Sequence, residues 1–381
     1  MRSANTLVTI ITLMSLSVCL VKSQTRCTNP NRRSGFCTSI YDCPSLLGVI
    51  SRKPLPESNR QFLLASQCTG GTGAQPHVCC NEDTGFSTST TPRTITTTRS
   101  SRIFPSNGRG NELPSPPSCG RETTGNKIYG GNVTELDEFP WMALLIYKAV
   151  SGALSMSCGG SLINQRYVLT AAHCVKGEIL TEVGQIYSIR LGEYDITKDI
   201  DCVDKDCADP PIETGYEEII AHESFDPSAT NRHHDIALIR LNQDVLYTDF
   251  ITPVCLPSVL NFQRSQTGTS VVVAGWGRTL RASQSSIKQK LTLPVSDPAD
   301  CGRKFATKNV NIIDSQLCAG GIYTRDTCDG DSGGPLMKIV KNYWIIEGII
   351  SFGNRCGLDG WPAVYTRVSS YESWIKRNLR P

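Results

Sequence analysis

Three short stretches carry the side chains able to do nucleophilic chemistry. His173 is one of only five histidines in the chain and follows Leu169-Thr170-Ala171-Ala172 directly, with Cys174 after it. Small residues before it and a cysteine after it would hold the ring rigidly at the end of a β run. Asp235, in His234-Asp235-Ile236-Ala237-Leu238-Ile239, stands just before an apolar run, where a carboxylate is partly desolvated and committed to one partner. Ser332 lies in Gly330-Asp331-Ser332-Gly333-Gly334-Pro335, whose glycines let the backbone turn sharply and aim amides at a substrate carbonyl. Acyl transfer by a serine needs these parts: an alcohol, an imidazole to take its proton, a carboxylate to fix that imidazole, and backbone donors for the developing oxyanion. Each stretch alone also reads as a surface histidine, a strand-capping aspartate or an ordinary turn; together they favour chemistry. His233 and His234 are assigned to the surface.

These residues need rigid elements to hold them. Trp141 to Tyr147, Tyr167 to Leu169, Ile236 to Leu241, Ser270 to Ala274, Tyr343 to Ile350 and Ala363 to Val368 are short alternating or apolar runs between turn residues, many rich in Val, Ile and Tyr. They predict an all-β domain. Ser369 to Leu379 differs, with Tyr371, Trp374, Ile375 and Leu379 at helical spacing, and predicts a C-terminal helix.

The rest of the 381 residues divides by composition. Residues 1–23, with Arg2, an apolar stretch from Leu7 to Leu20 and a small residue at Ser23, read as a secretory signal rather than a short membrane anchor. Of 17 cysteines, Cys19 leaves with that signal. An even number then enters an oxidising space, so disulfides are expected. Zinc is the competing reading, but His173 and Cys174 lack a second ligand pair at metal spacing. Residues 24–80 hold Cys27, Cys37, Cys43, Cys68, Cys79 and Cys80 in a stretch too short for a large core. Spacing alone does not choose their pairing, except that adjacent Cys79 and Cys80 should reach different partners. Residues 81–118 carry Ser/Thr runs and then Pro114, Pro116 and Pro117, the composition of a tether. The formal net charge of +3 gives no argument for a nucleic-acid partner. Asn132-Val133-Thr134 is a glycosylation sequon.

The chain order His173, Asp235, Ser332 and the motifs around each resemble the trypsin/chymotrypsin family of serine endopeptidases over residues 128–381; subtilisin-like and α/β-hydrolase enzymes use other orders. The resemblance implies two six-stranded β-barrels with the site between them. It makes Ser332 the nucleophile, His173 the general base and then acid, Asp235 its orienting partner, and the amides of Gly330 and Ser332 the oxyanion hole. Lys127-Ile128-Tyr129-Gly130-Gly131 resembles the family's activation junction, with Tyr129 in place of the usual Val. Cleavage after Lys127 would free an α-amino group on Ile128 to pair with Asp331. Asp326 would be the floor of a specificity pocket selecting Arg or Lys, and Ser351-Phe352-Gly353 an edge strand pairing with the substrate backbone. Phe352 replaces the family's usual Trp, and Ala363 stands at a pocket wall that is usually Gly. Glu193 and Asp201 would offer carboxylates, and Asp195 and Lys198 carbonyls, to a structural calcium ion; catalysis needs no cofactor. The implied pairs are Cys158–Cys174, Cys301–Cys318, Cys328–Cys356 and Cys119–Cys255, which leaves Cys202 and Cys207 to pair together.

The six-cysteine region resembles a clip domain of arthropod proteases, implying Cys27–Cys79, Cys37–Cys68 and Cys43–Cys80. The expected fold is therefore mainly β, a double six-stranded barrel with a C-terminal helix behind a small disulfide-rich module. The expected domains are 1–23 signal, 24–80 clip, 81–127 linker and end of the light chain, and 128–381 protease. The resemblance, to prophenoloxidase-activating or Spätzle-processing enzymes, implies a secreted zymogen in haemolymph. Its partners would be a protein proenzyme substrate, an upstream activating protease and a serpin-type inhibitor, with neither nucleic acid nor membrane. A pseudoprotease cofactor is disfavoured because His173, Asp235 and Ser332 are all present, and a digestive enzyme because it needs no regulatory light chain.

Overall fold

The computed structural model describes residues 26–28, 34–39, 43, 64–68, 77–81, 111–121, 133–203, 206–278, 282, 284–322, 330–354 and 357–381. The chain forms two compact units, residues 1–95 and 96–381. In the first, β1 (Arg26–Thr28), β2 (Ser34–Ser39) and β3 (His77–Asn81) make an antiparallel sheet in that order. Cys27–Cys79, Cys37–Cys68 and Cys43–Cys80 are bonded. Among its described residues Cys37, Cys43, Val78 and Cys79 are the buried apolar ones, so covalent links do the work a larger core would do.

The second unit holds two curled sheets. The first contains β4 (Met142–Lys148), β5 (Leu154–Leu162), β6 (Tyr167–Thr170) and β7 (Gln185–Leu191). The two-residue strands β8 (Cys202–Val203) and β9 (Asp206–Cys207) form a separate hairpin, and Cys202 is bonded to Cys207. The first sheet then resumes with β10 (Ile212–Thr214), β11 (Tyr216–Ala221) and β12 (Ala237–Leu241), in the order β10-β7-β4-β5-β6-β12-β11. Its two edges, β10 and β11, are consecutive in the chain and separated only by Gly215. One bent strand therefore pairs with β7 before the bend and β12 after it, which closes a six-stranded barrel. A Cβ on Gly215 would lie 2.8 Å from the Asn242 side chain, whose own backbone N–H donates to Gly215 O, so a side chain at this corner would displace that of Asn242.

The second sheet comprises β13 (Ser270–Gly275), β14 (Gln289–Pro294), β15 (Gln316–Gly320), β16 (Pro335–Val340), β17 (Tyr343–Phe352) and β18 (Pro362–Arg367), ordered β14-β13-β16-β17-β18-β15. It closes where Val295 bridges Ala319 and Ser296 N–H donates to Cys318 O. A helix absent from the sequence reading, α1 (Pro298–Ala306), starts where the Asp297 carboxylate accepts from Asp300 N–H at 2.8 Å. Cys301 on α1 is bonded to Cys318 on β15. The C-terminal helix α2 (Glu372–Asn378) buries Trp374 and Ile375, and a short 3-10 turn at Val368–Ser370 precedes it.

Candidate active site

His173 sits in a one-turn 3-10 segment, Ala172–Cys174, just past the end of β6. Its flanking Ala172 and Cys174 are buried, and Cys174 is bonded to Cys158 on β5. That bond fixes the backbone at the imidazole. Cys158, His173 and Cys174 cluster closely, but the two sulfurs are joined, so no thiolate remains for a metal. Asp235, fully buried, precedes β12 on the neighbouring strand. Its Oδ2 accepts from His173 Nδ1 at 2.7 Å and its Oδ1 from His173 backbone N–H at 2.8 Å. Ser351 Oγ donates to the same Oδ2 at 2.5 Å. Burial alone would raise the Asp235 carboxyl; the His173 charge and these donors outweigh it and hold it below the ordinary carboxylate value. An ionised Asp235 places the Nδ1 proton on its own side of the ring, leaving Nε2 to act as the base.

Ser332 comes from the other barrel, in the turn before β16. Its carbonyl accepts from Gly159 N–H on β5 at 2.7 Å, and Gly333 N–H donates to Ile350 O at 2.9 Å. Gly333 has φ +77°, and a Cβ there would meet Thr170 Oγ1 at 2.3 Å and Cys174 Sγ at 3.1 Å. The turn carrying Ser332 is thus packed against the residue that follows His173. Among the described residues the half-exposed Ser332 hydroxyl makes no hydrogen bond to His173; such bonds are commonly long without substrate and tighten when it binds. Gly330, the other expected oxyanion donor, has φ +94° at the start of the same turn. Asp331 Oδ1 accepts from Gly277 N–H at 2.8 Å, and a Cβ on Gly275 or Gly277 would overlap its carboxylate. Lys127, Ile128 and Asn132 lie outside the described residues, as do Asp326, Cys328 and Cys356.

Ser351, Phe352 and Gly353 run along the end of β17. β16 covers that strand only as far as Ile349, and the turn before β16 bonds Ile350 through Gly333 N–H and Gly334 O. Beyond it β18 pairs on one side alone. Phe352 packs edge to face on Phe305 of α1, at 5.6 Å between centroids. Ala363 on β18 faces Gly353: a Cβ built there would lie 3.9 Å from the Ala363 methyl. Two residues that the sequence reading did not single out touch this region. Thr366 Oγ1 donates to Asp235 O, and Arg232 Nη1 donates to Ser351 O at 2.9 Å. His233 and His234, expected at the surface, are half-buried. His233 Nε2 lies 2.8 Å from Asn311 O, while His234 stacks on His222 and meets Tyr371 Oη at 3.0 Å. The His234 ring is drawn inward where the residues after β11 and before α2 meet, while His233 is held against the segment that follows α1.

The acidic loop after β7 has a different character. Glu193, Asp195 and Asp201 are buried. Glu193 Oε1 and Asp201 Oδ2 both accept from Tyr194 N–H, so the two carboxylates lie side by side. Burial raises the Glu193 carboxyl, and the Asp201 charge adds to it. Arg190 pairs with Glu193, and Lys198 Nζ with Asp195 at 2.7 Å. Asp201 Oδ1 is buried without a hydrogen-bond partner among the described residues. Adjacent buried carboxylates with an unsatisfied oxygen suit a hard divalent cation bound through oxygen.

Comparison with known proteins places this geometry in a lineage. Residues 128–375 match the family described as "Trypsin", and residues 27–80 match "Regulatory CLIP domain of proteinases". Serine protease 7 of Drosophila melanogaster is 52% identical over 367 residues, spanning 95% of this chain and 94% of that protein. Phenoloxidase-activating enzyme 1 of Spodoptera litura is 43% identical, with 93% of each chain covered. The crystal structure of Drosophila Grass, a clip serine protease of the Toll pathway, superposes with a TM-score of 0.58 at 28% identity, covering 92% of this chain and 96% of that one. A bonded imidazole–carboxylate pair in one barrel, a serine turn from the other and a matching regulatory module lead to one assignment: the chain belongs to the trypsin family of serine endopeptidases and carries a CLIP domain.

Proposed function

We propose that the protein is secreted as a zymogen, is activated by cleavage after Lys127, and then cleaves protein proenzymes after Arg or Lys in an extracellular cascade of innate immunity. That cascade would lead to prophenoloxidase activation and melanisation or to Toll-ligand processing. The observation that carries the catalytic part is the buried Asp235 bonded twice to His173 beside the Ser332 turn. Ser332 Oγ attacks the scissile carbonyl as His173 Nε2 takes its proton. Asp235 holds the ring and stabilises its charged form. The amides of Gly330 and Ser332 receive the oxyanion, and His173 then protonates the leaving amine.

The cascade role is supported by the CLIP match and by the relative named as a phenoloxidase-activating enzyme. Partners of this reading are a proenzyme substrate, an upstream activating protease and a serpin-type inhibitor. Secretion is supported by the apolar N-terminal stretch and the disulfides. No helix among the described residues is long and apolar enough to cross a membrane. On activation the new Ile128 ammonium would pair with Asp331, which the Gly277 amide already holds in a slot between Gly275 and Gly277. Glu193, Asp195, Lys198 and Asp201 would hold a structural calcium ion, whose charge would neutralise the adjacent carboxylates.

The test is cleavage profiling of the activated enzyme on candidate plasma proenzymes, with Ser332→Ala and Lys127→Gln alongside. Ser332→Ala should keep its fold and disulfides while turnover falls by about a millionfold; appreciable residual hydrolysis would refute the nucleophile assignment. Lys127→Gln should remain latent, and full activity in it would move the activation junction elsewhere.

A further inference from the structure

Tyr147 on β4 is fully buried, yet it carries a hydroxyl into the core. A phenylalanine would fill the same space without taking a hydroxyl out of water. That hydroxyl donates to Cys174 O at 2.7 Å, across 27 residues of chain, and so reaches the turn that carries His173. Burial raises the pKa of the phenol, which keeps it a donor throughout the working range. The strands on either side of β4 are irregular at this point. β5 slips register between its pairings with Leu145 and Ile146, and β7 between its pairings with Ile146 and Tyr147. Such irregularities re-aim side chains, and here two successive strand residues, Ile146 and Tyr147, are both buried.

Asp235 fixes the imidazole relative to its own backbone, through Nδ1 and through His173 N–H. The distance from the whole turn to Ser332 is a separate matter, and both sides of that gap are referenced to β5. Gly159 N–H on β5 donates to Ser332 O at 2.7 Å, and Cys158 beside it is bonded to Cys174. A disulfide tethers through several rotatable bonds, so alone it lets the turn pivot. Tyr147 supplies a second point of attachment from the neighbouring strand, itself paired with β5 at Ser155. Cys174 Sγ in turn packs against the serine turn, 3.1 Å from where a Cβ on Gly333 would stand. We propose that Tyr147 is a positioning residue: its hydroxyl holds the His173 turn at the height over β5 at which Nε2 meets Ser332 Oγ once substrate is bound.

This rests on the reading of His173 as the base and Ser332 as the nucleophile. Without the hydroxyl, Cys174 O is a buried acceptor that has lost its donor, and the turn shifts to find another. A displacement of a fraction of an ångström lengthens the approach of Nε2 to Oγ at the moment the proton moves. The surfaces that would bind substrate are left as they were, so the loss falls on kcat and not on KM.

The test uses the full chain cleaved at Lys127 and two probes. The first is a small alkyl fluorophosphonate, which needs no specificity pocket: Ser332 Oγ bonds to phosphorus, fluoride leaves, and the Oγ proton passes to His173. Its end point counts intact sites, and its rate reads the attack. The second is an Arg peptide amide, which separates kcat from KM. In Tyr147→Phe the labelling rate per intact site and kcat should each fall by about tenfold or more, with KM changed by less than about twofold. Tyr147→4-aminophenylalanine, which restores a donor on the same ring, should recover most of the rate. A purely structural hydroxyl would lower the melting temperature or the count of intact sites and leave the rate per site alone. That result would overturn the proposal, as would a Tyr147→Phe chain that does not fold, or no recovery with the restored donor. His173→Ala is the control on the underlying reading. Full labelling rate in it would sink His173 as the base, whereas a nearly inert His173→Ala beside an unimpaired Tyr147→Phe would sink the role of Tyr147 alone.

Discussion

In the proposed mechanism Asp235 is the residue on which the chemistry turns, because its two oxygens serve three donors at once. Oδ1 takes the His173 backbone N–H, and Oδ2 takes both His173 Nδ1 and Ser351 Oγ. Asparagine has one acceptor oxygen, and its NH2 would face a donor whichever way it turned. Asp235→Asn should therefore leave the fold intact but lower kcat by about ten-thousandfold, the loss expected when the imidazole is held in the wrong tautomer. A burst-phase assay at neutral pH reads it; a loss below tenfold would remove Asp235 from the mechanism. Lys288 makes a stability argument at the same scale. It is buried, its carbonyl accepts from Thr134, and its Nζ lies 6.0 Å from the centre of the Trp276 ring. Burial pulls its pKa down to about 8, against the attraction of Glu138, Asp137, Asp201 and Glu193. Between that value and the ordinary lysine value of about 10.4 the unfolded chain binds more protons than the folded one, so stability should rise with pH across the window. Relative to Lys288→Met, the native protein should gain roughly 3 kcal/mol from pH 7.5 to 10.5. Paired thermal melts across that range measure it, and parallel pH curves would show that Lys288 does not titrate there.

At the scale of elements, the serine turn shows how far backbone geometry governs the site. Gly333 has no room for a Cβ, because Thr170, Gly159 O and Cys174 occupy the space and φ is positive. Gly333→Ala should force the turn off β5 and β17 at a cost of about 2–4 kcal/mol. It should also reduce the titratable fraction of Ser332 severely, although every triad residue remains. Full titration in that variant would mean that the turn adapts freely. The same scale explains what could be read from sequence. Tyr167–Thr170, Ala237–Leu241 and Tyr343–Phe352 announce themselves because their residues are buried on both faces or are β-branched, and the triad members stand at or near the ends of such runs. β5 escaped because Leu-Ser-Met-Ser-Cys-Gly-Gly-Ser-Leu is small and polar in composition; its glycines are there for close approach, since a Cβ on Gly160 would strike Val168. α1 escaped although Asp297-Pro298 is a capping signal, because its buried side is only Cys301 and Phe305. Arg232 could not be singled out at all. Its meaning lies in a carbonyl 119 residues away in the chain, and no local pattern encodes that distance.

For the whole molecule, the proposed cleavage after Lys127 raises the question of what would hold the two pieces together. The segment 111–121 belongs to the N-terminal piece, yet it is fastened to the protease unit. Cys119 is bonded to Cys255, and both are fully buried with Leu260 and Ile345 around them. Gly120 N–H donates to Pro253 O, and Gly120 O accepts from Trp344 N–H. A side chain at Gly120 would collide with Trp344 O at 2.2 Å, so the backbone lies directly on the protease surface. Asn164 Nδ2 donates to Glu112 O further along. Activation should therefore cut the chain without releasing the CLIP-bearing piece. On a denaturing gel the activated protein should run as one species without reductant and as two with it. Replacing both Cys119 and Cys255 by Ser should yield two species under either denaturing condition. Under native conditions the short backbone ladder alone should hold the pieces only weakly, so gel filtration of the cleaved double variant should separate them at low concentration. Two bands from the unaltered activated protein without reductant would show that the Cys119–Cys255 bond does not tether the regulatory module, and the module would then act only before cleavage.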